Sequence, residues 1–334
     1  MAILSAMLPC LLATLLGGAS PLASVASGAD FVQPVPAATP DSSDRLTQAR
    51  HQTLLARVGF SPGLIDGKPG RKTRLAIQFF QRSRSLSETG VLDERTLDTL
   101  TAAAKLDAAS WTRPYVVRDR DAALVTGPIP DDWNERATLT VSGYAGMHEL
   151  LAERGWCSTE LVSLLNPGVP LDSLSPGDEV ILPAVPDFLA RAEAPLPKVA
   201  SIEIDLGAKL VVGLDASGVP VTLLHCSIAQ AAEKRPVGEL TVKVVVTDPD
   251  YTFDPASWPE VTNVTRKLRI APGPRNPVGV AWIGLDKPGY GLHGTVRPQD
   301  IGKTGSHGCF RLANWDAARL SRAVSIGTPV VIRE

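Results

Sequence analysis

The spacing of apolar residues predicts three helices in the first third of the chain. A helical period runs over residues 45–58 and stops at Gly59, and it returns over residues 71–83 after a stretch rich in turn residues. A third helical pattern covers residues 89–103, where Asp93 is the expected N-cap. These three patterns predict a small all-α domain.

The pattern after these helices changes twice. Residues 105–136 are rich in proline and aspartate and are predicted to form a connector. Residues 137–186 are predicted to form strand, helix, helix and strand, which makes a small α+β module. A second proline-rich linker follows over residues 187–198.

From residue 199 to residue 334 the pattern is typical of β-structure. One helix is strongly indicated over residues 314–324, with Asn314 as its cap, so we expect a mostly-β domain with one helix behind its sheet. The predicted strands are Ser201–Asp205, Lys209–Leu214, Val219–Ser227, Leu240–Thr247, Val278–Leu285 and Val330–Arg333.

The N-terminus has the composition of an export signal. No charged residue precedes Asp30, and an apolar run over residues 3–16 gives way to small residues. We therefore expect a signal peptide over residues 1–29, a linker over residues 30–44, and export to the periplasm or the cell wall. A membrane anchor is the alternative, but the run is shorter than the roughly 20 residues of a comfortable span.

Overall charge and composition exclude some partner classes. The 334 residues carry a formal net charge of −2 and are 44% hydrophobic, which is typical of a globular protein without a strong electric field. We therefore expect no nucleic-acid partner, and no motif suggests a cofactor. The oligomeric state does not follow from the sequence.

Chemistry is concentrated in the segment from His293 to Asn314, which holds two histidines and one cysteine. His293, His307 and Cys309 could be three zinc ligands, although no fourth ligand stands at a suitable spacing. Cys309 could instead form a disulfide with Cys226 if their Cα atoms lie about 5.5–6 Å apart. Without the signal peptide the chain has three cysteines, so at least one thiol stays unpaired; Cys157 and Cys226 are expected to be buried in the core.

A third interpretation makes Cys309 a nucleophile whose proton passes to a histidine. Gly308 leaves room for a substrate, and the backbone N–H groups of Gly308 and Cys309 could stabilise an oxyanion. Arg311 could hold a carboxylate, or it could form a salt bridge with Asp316 or with another acidic residue of the surface. The nucleophile interpretation gives a role to every unusual residue of the segment, whereas the zinc interpretation leaves the arginine and the glycines without one.

Two N-terminal segments resemble known wall-binding modules. Residues 45–104 resemble the peptidoglycan-binding domain type 1, because Ile65-Asp66-Gly67, Phe79-Phe80-Gln81 and Thr89-Gly90 stand in that order. Residues 137–186 resemble a LysM module at Leu165-Asn166-Pro167 and Pro176-Gly177-Asp178, although Gly146-Met147-His148 replaces the usual glycine-aspartate. The resemblance implies that residues 45–104 bind peptidoglycan, and that residues 137–186 either bind its glycan or act only as a spacer. We expect deletion of residues 45–104 to reduce binding to sacculi and to leave acylation at Cys309 nearly unchanged.

The C-terminal domain resembles the L,D-transpeptidases of the YkuD type. The residues on which this resemblance rests are His293, then Ser306-His307-Gly308-Cys309-Phe310-Arg311 and Asn314. Phe310 is bulkier than the residue that usually stands at this position. This implies that Cys309 attacks the donor tetrapeptide stem, that D-alanine leaves, and that an amine resolves the thioester. Carbapenem-type inhibitors are expected to react at the same thiol.

The resemblance also implies the roles of the site residues. Catalysis falls to Cys309, His293, His307 and Gly308, and substrate binding to Arg311, Ser306, Asn314 and Tyr290; no metal is implied. We expect His293 to be the base, on a strand next to the cysteine, with one ring nitrogen bonded to a carbonyl such as that of Gly294. The pKa of Cys309 should then lie below the free value of about 8.5 and rise toward it in His293→Ala.

Overall fold

The computed structural model describes residues 42–106, 110–188, 196–258, 260–303, 305 and 308–334. The predicted signal peptide and two predicted site residues, Ser306 and His307, lie outside the described residues. Within the described ranges, no helix is both long enough and apolar enough to cross a membrane.

The N-terminal domain contains the three predicted helices, α1 (Ser42–Arg57), α2 (Arg71–Ser83) and α3 (Glu94–Ala104). Asp93 caps α3, since its side chain accepts a hydrogen bond of 2.8 Å from the backbone N–H of Thr96. The predictions of an all-α domain and of this cap are therefore confirmed.

The middle region forms an antiparallel strand pair with helices between the two strands. Its elements are β1 (Thr112–Val116), α4 (Asp119–Ala122), α5 (Trp133–Arg136), α6 (Met147–Arg154), α7 (Thr159–Leu165) and β2 (Glu179–Pro183). The strand that pairs with β2 comes from the predicted connector, and residues 137–145 form no strand, so that part of the prediction is wrong. Packing decides this choice, because β1 buries Tyr115 and places its hydroxyl 2.7 Å from the buried carboxylate of Asp121.

The C-terminal domain is mostly β, as predicted. Its elements are β3 (Ser201–Asp205), β4 (Leu210–Leu214), β5 (Pro220–His225), β6 (Gly238–Thr247), β7 (Tyr251–Phe253), β8 (Leu268–Ile270), β9 (Ala281–Leu285), β10 (Gly291–His293), β11 (Phe310–Arg311), α8 (Asn314–Ala323) and β12 (Pro329–Arg333). Eight strands form one sheet in the order β11-β10-β9-β6-β12-β3-β4-β5, while β7 and β8 form a separate hairpin. All six predicted strands are present, and four strands of two or three residues were not predicted.

Helix α8 covers one face of this sheet, where Leu320 and Ala317 pack against residues of β9 and β10. The helix begins at Asn314, and Ala313 is its cap residue without a side-chain cap bond. The prediction that Asn314 caps this helix is therefore wrong, because its amide is engaged elsewhere, as described below.

The helical N-terminal domain packs directly on the β-domain. Leu55, Phe60 and Phe80 share one buried cluster with Val212 and Leu223 of the sheet. Phe60 also forms a parallel β-bridge with Leu223. The two domains therefore share a hydrophobic core, which argues against the expectation that residues 45–104 are an independent module.

Candidate active site

The edge of the sheet places the candidate catalytic residues on adjacent strands. β10 and β11 are parallel, and their register sets His293 opposite Arg311. Cys309 directly precedes β11, so its side chain and that of Arg311 belong to the same face of that strand. The prediction that His293 lies on a strand next to the cysteine is confirmed.

The ring of His293 is held in one orientation. Its Nδ1 atom lies 2.6 Å from the carbonyl oxygen of Gly294, as predicted, and the ring stacks on Trp282 of β9 at 5.6 Å between centroids. A ring nitrogen facing a carbonyl must carry the hydrogen, so Nδ1 donates and Nε2 keeps its lone pair. This tautomer can accept a proton at Nε2.

Burial sets the charge of His293. Its side chain is 5% exposed, and desolvation, with a smaller contribution from the positive charge of Arg311, lowers the pKa of His293 to about 4. The imidazole is therefore neutral at pH 7, which is the form that a general base requires.

The thiol of Cys309 is protonated in the resting site. Its Sγ atom donates to the carbonyl oxygen of Gly289 at 3.3 Å. Burial raises the pKa of Cys309 above its ordinary value, and the hydrogen bond from the backbone of Gly291 and the charge of Arg311 offset this only in part. The expectation of a lowered thiol pKa is therefore wrong: desolvation outweighs the nearby positive charge.

Cys309 and His293 open into one cavity of about 290 Å³, called here the catalytic cavity. Arg311 and Gly308 line it too, so four predicted site residues meet at one place. Its lining residues are Tyr251, Ser257, Trp258, Pro277, Val278, Trp282, Gly289, His293, Gly308, Cys309 and Arg311.

Arg311 faces this cavity without a carboxylate partner. Its Nη1 atom donates to the carbonyl oxygen of Gly305 at 3.4 Å, and the ion pairs found in the described part of the chain do not include it. Asp316 is buried and accepts a hydrogen bond from Ser61 at 3.0 Å. The alternative of a surface salt bridge between Arg311 and Asp316 is therefore wrong.

Gly308 and Tyr290 lie close together beside the nucleophile. A Cβ atom added at Gly308 would lie 3.9 Å from Cε1 of Tyr290, so the ring borders the space that the glycine leaves open. Tyr290 is half-buried against the sheet core, and the Nζ atom of Lys287 lies 4.9 Å from its ring centroid. Its role in substrate binding stays a prediction.

Asn314 supports the site from behind. Its side chain is 1% exposed, and its Nδ2 atom donates to Glu153 at 2.7 Å and to the carbonyl oxygen of Pro274 at 2.9 Å. Its Oδ1 atom occupies the space where Gly294, next to His293, would carry a Cβ atom. The prediction that Asn314 binds substrate is therefore wrong, because its amide is buried and already bonded to protein groups.

The alternatives for the cysteines are also decided within the described residues. Cys157, Cys226 and Cys309 form no disulfide in the described structure, so the alternative of a bridge between Cys226 and Cys309 is wrong. Cys157 and Cys226 are buried as predicted, and burial raises the pKa of Cys226 to about 12. No group of three possible metal ligands occurs among the described residues, and His307 of the zinc hypothesis lies outside them.

One wall of the site was not predicted from the sequence. The hairpin of β7 and β8 brings Tyr251 and Trp258 to the catalytic cavity. Trp133 of α5 stacks on Phe253 of this hairpin at 4.1 Å between ring centroids. The concentration of aromatic residues in 251–258 was the available signal, but the strands are too short to show a period.

Comparison with known proteins finds a family match for two regions of the chain. Residues 200–332 match the family model described as "L,D-transpeptidase catalytic domain", and residues 50–100 match one described as "Putative peptidoglycan binding domain". Both matches fall inside domains that the fold defines.

Curated relatives are similar over part of their length. "Putative L,D-transpeptidase YqjB" of Bacillus subtilis (strain 168) is 36% identical over 105 residues, which are 30% of this chain and 52% of that protein. "Putative L,D-transpeptidase YkuD" of the same strain is 26% identical over 175 residues, which are 52% of this chain and 86% of that protein. The chain thus spans about half the length of the first relative and most of the second.

A solved structure is similar at a lower level. L,D-transpeptidase 3 from Mycobacterium tuberculosis, in complex with a faropenem-derived adduct, is 18% identical with a TM-score of 0.33, and the match covers 48% of this chain and 76% of that one. Residues 200–332, the part of the chain that carries the candidate site, match the L,D-transpeptidase catalytic domain family.

Proposed function

We propose that the chain is a peptidoglycan L,D-transpeptidase with Cys309 as its nucleophile. The observation that carries this proposal is the convergence of the Cys309 thiol, the neutral His293 imidazole and the Arg311 guanidinium in one cavity of the catalytic domain. The family match concerns residues 200–332 alone, whereas the activity and the substrate proposed here are those of the whole chain.

The first half-reaction forms a thioester. Nε2 of His293 takes the proton of Cys309 as the sulfur attacks the carbonyl of the third residue in a donor tetrapeptide stem. The bond to D-alanine breaks, and the imidazolium returns the proton to the departing amine. In this mechanism the N–H groups of Gly308 and Cys309 stabilise the oxyanion, and Arg311 holds a carboxylate of the stem.

The second half-reaction returns the free thiol. An amine attacks the thioester carbonyl, and His293 takes a proton from that amine. The bond from the carbonyl carbon to sulfur breaks, and His293 passes the proton to the departing sulfur, which restores the thiol. The amine can belong to a second stem, which gives a 3→3 crosslink, to a free D-amino acid or to a protein lysine. Ser306 and His307 lie outside the described residues, so the substrate-binding role of Ser306 and the catalytic role of His307 stay predictions.

Two other functions compete with this one. Water as acceptor would make the chain an L,D-carboxypeptidase on the same stems. A non-catalytic wall-binding protein is a third possibility, but the fixed tautomer of His293 beside an accessible thiol favours a working site.

The remaining regions fit a protein that works on the cell wall. We propose that residues 45–104 bind peptidoglycan and that the chain is exported to the periplasm or the wall. A LysM-like role for the middle region is also a proposal; the order of β1, α6, α7 and β2 supports it, although its first strand comes from residues 112–116.

Mass spectrometry of the muropeptides formed on isolated sacculi tests the proposal. The full chain should generate 3→3 crosslinked dimers, or D-amino-acid exchange products when a D-amino acid is added. Tripeptides alone would favour the carboxypeptidase. Sacculi unchanged in composition would contradict both enzymatic functions, provided that the chain pellets with them.

A further inference from the structure

A second cavity adjoins the catalytic cavity and is called here the arginine cavity. It has a volume of about 320 Å³ and shares Arg311, Trp258 and Pro277 with the catalytic cavity. The two cavities are therefore adjacent, and Arg311 lines both of them.

Part of this second cavity comes from outside the catalytic domain. Trp133 and Arg136 of α5 line it, and they belong to the middle region of the chain. The Trp133 ring lies 4.1 Å from that of Phe253 and 5.9 Å from that of Trp258, so α5 is fixed against the β7–β8 hairpin. Asn134 adds a bond of 3.3 Å to the carbonyl oxygen of Asn263 in the same hairpin.

The charges that line the arginine cavity are mostly positive. Arg136, Arg275, Arg297 and Arg311 face it, against the single carboxylate of Asp300. Asp300 pairs with Arg297 at 2.7 Å, and Arg275 pairs with Glu149. These two arginines are therefore neutralised by the protein itself.

Arg136 and Arg311 differ from Arg275 and Arg297 because no ion pair neutralises them in the described residues. Each is partly buried and donates to a backbone carbonyl oxygen, that of Pro130 for Arg136 and that of Gly305 for Arg311. Neither takes part in an ion pair within the described residues. Burial lowers the pKa of both, and the charge of Asp131 opposes this shift at Arg136 only in part. Two partly buried guanidinium groups that take part in no ion pair of the described residues favour an anion from solution.

We infer that Arg136 and Arg311 together form a binding site for the carboxylate of a peptide that reaches Cys309 through the arginine cavity. This inference rests on the proposed function, since the peptide would be the donor stem or the acceptor. Trp133 and Trp258 cover the apolar part of the same peptide. Arg136 thereby makes the middle region part of the substrate site.

Carboxylate and amide forms of one peptide test the charge requirement. The donors are a tetrapeptide stem that ends in D-alanine and the same peptide with a C-terminal amide; the acceptors are a D-amino acid and its amide. For each, kcat/KM is measured for the full chain, for Arg136→Gln and for Arg136→Lys. Arg266→Gln is the control, because Arg266 is exposed between β7 and β8.

A lost charge-assisted bond should lower kcat/KM by about 10- to 100-fold. If the donor carries the recognised carboxylate, Arg136→Gln shows this loss with the acid donor and little loss with the amide. If the acceptor carries the recognised carboxylate, Arg136→Gln lowers kcat/KM with the D-amino acid as acceptor and has little effect with its amide. Arg136→Lys should restore part of the activity, and Arg266→Gln should resemble the unchanged chain. An equal loss on acid and amide, or no loss on either pair, would overturn the inference.

Binding without turnover separates this inference from the proposed function. In the Cys309→Ala background, tryptophan fluorescence reports the tetrapeptide acid and the D-amino acid, since Trp133 and Trp258 line the cavity. Adding Arg136→Gln should raise the Kd of one of these two ligands about tenfold. If the full chain turns over no stem but this difference in Kd is present, the proposed function fails and the site stands. An unchanged Kd for both ligands overturns the site.

Discussion

Ser61 of the helical N-terminal domain donates a hydrogen bond of 3.0 Å to the buried carboxyl of Asp316 in helix α8 of the catalytic domain. A second link runs from Lys72 of α2, whose Nζ atom donates to the carbonyl oxygen of Ile301 at 2.6 Å. Residue 301 lies eight positions before Cys309, so the N-terminal domain contacts the segment that leads to the nucleophile. The peptidoglycan-binding domain is thus a structural part of the catalytic unit.

Deleting residues 45–104 should therefore destabilise the catalytic domain as well as reduce binding to sacculi. The deletion would expose Leu210, Val212 and Leu223, which are buried in the shared core. We expect a lower Tm by circular dichroism and a parallel loss of carbapenem acylation at Cys309 by intact mass.

Phe60→Ala tests the same contact with one side chain. Truncation of a buried phenylalanine to alanine lowers the free energy of unfolding by about 3–5 kcal/mol. Val91→Ala is the control in the same domain, since Val91 is 62% exposed. If the chain without residues 45–104 kept the Tm and the acylation of the full chain, the shared core would be dispensable for the catalytic domain.

Cys309→Ala should abolish turnover and leave the fold and sacculus binding intact. The thiol is the only group of the catalytic cavity proposed to form a covalent bond, and its removal leaves the hydrogen bonds of His293 and Arg311 in place. Release of D-alanine from a tetrapeptide measures the loss. Cys157→Ala is a control that removes a buried thiol from the core. Turnover by pure Cys309→Ala protein would contradict the thioester mechanism.

The pH profile should show a neutral thiol and a neutral imidazole in the resting site. The pKa of His293 is lowered to about 4, so the base form is present above that pH and is lost as the pH falls through it. We expect kcat/KM to be nearly constant from pH 6 to 8 and to fall on the acid side only near pH 4, within the range where the protein stays folded.

His293→Ala then removes the base without removing the nucleophile. Transfer should fall by about 10²- to 10⁴-fold, the usual effect of losing a general base. Alkylation of Cys309 by iodoacetamide should remain once the pH exceeds the raised pKa of the thiol. His148→Gln, on α6, serves as the histidine control. An alkylation curve with its midpoint well below 8.5 in the unchanged chain would instead indicate a preformed ion pair.

Arg311→Ala should weaken the use of natural stems while sparing the thiol itself. The guanidinium faces the catalytic cavity and donates only to the carbonyl oxygen of Gly305 in the described structure. We expect a higher KM or a lower kcat/KM for the tetrapeptide, with alkylation by iodoacetamide preserved at its high-pH plateau. Arg311→Lys keeps the charge but not the planar fork, so it should recover part of the loss. Unchanged kinetics would remove Arg311 from substrate binding.

The sequence predicted those parts of the fold that have their own periodicity. The long strands β3 to β6, β9 and β12 carry runs of apolar and β-branched residues, and α2 and α3 show a clear helical period. Strands β10 and β11 span only Gly291–His293 and Phe310–Arg311, and their pairing depends on tertiary contacts. The sequence therefore indicated that His293 lies on a strand beside the cysteine, but it predicted neither the bounds of that strand nor β11.

The chemistry of the site was predictable only where it is local. The bond between the His293 ring and the carbonyl of Gly294 joins neighbouring residues, so the sequence indicated it. The raised pKa of Cys309 depends on desolvation by distant segments, so the shift expected from the sequence had the wrong direction. The wall formed by Trp133 and Trp258 joins residues more than a hundred positions apart, and no sequence spacing reveals such a contact.

Two buried carboxyls behind the site should make the stability of the protein depend on pH. Burial raises the pKa of Glu153 to about 7, despite a hydrogen bond of 2.7 Å from Asn314, and it raises that of Asp316 to about 7. In the unfolded chain both groups titrate near pH 4. Between about pH 4 and pH 7 the folded state thus holds protons that the unfolded state has lost. The free energy of unfolding is therefore greatest at the acid end of this window and decreases until about pH 7, where the decrease ends.

Glu153→Gln should remove the part of this pH dependence of the free energy of unfolding that is due to Glu153. The amide oxygen can still accept the hydrogen bond from Asn314, and the side chain no longer ionises in a buried site. At pH 8 we expect the variant to be more stable than the unchanged chain by roughly 3 kcal/mol, and near pH 4.5 by much less. Urea unfolding at both pH values measures the difference, and Glu94→Gln is the control because Glu94 is exposed at the start of α3. The remaining pH dependence should come from Asp316, whose carboxyl accepts from Ser61. If the stability of the unchanged chain is flat from pH 5 to 8, or if Glu153→Gln follows the same curve, Glu153 is ionised in the folded protein and this account of its burial is wrong.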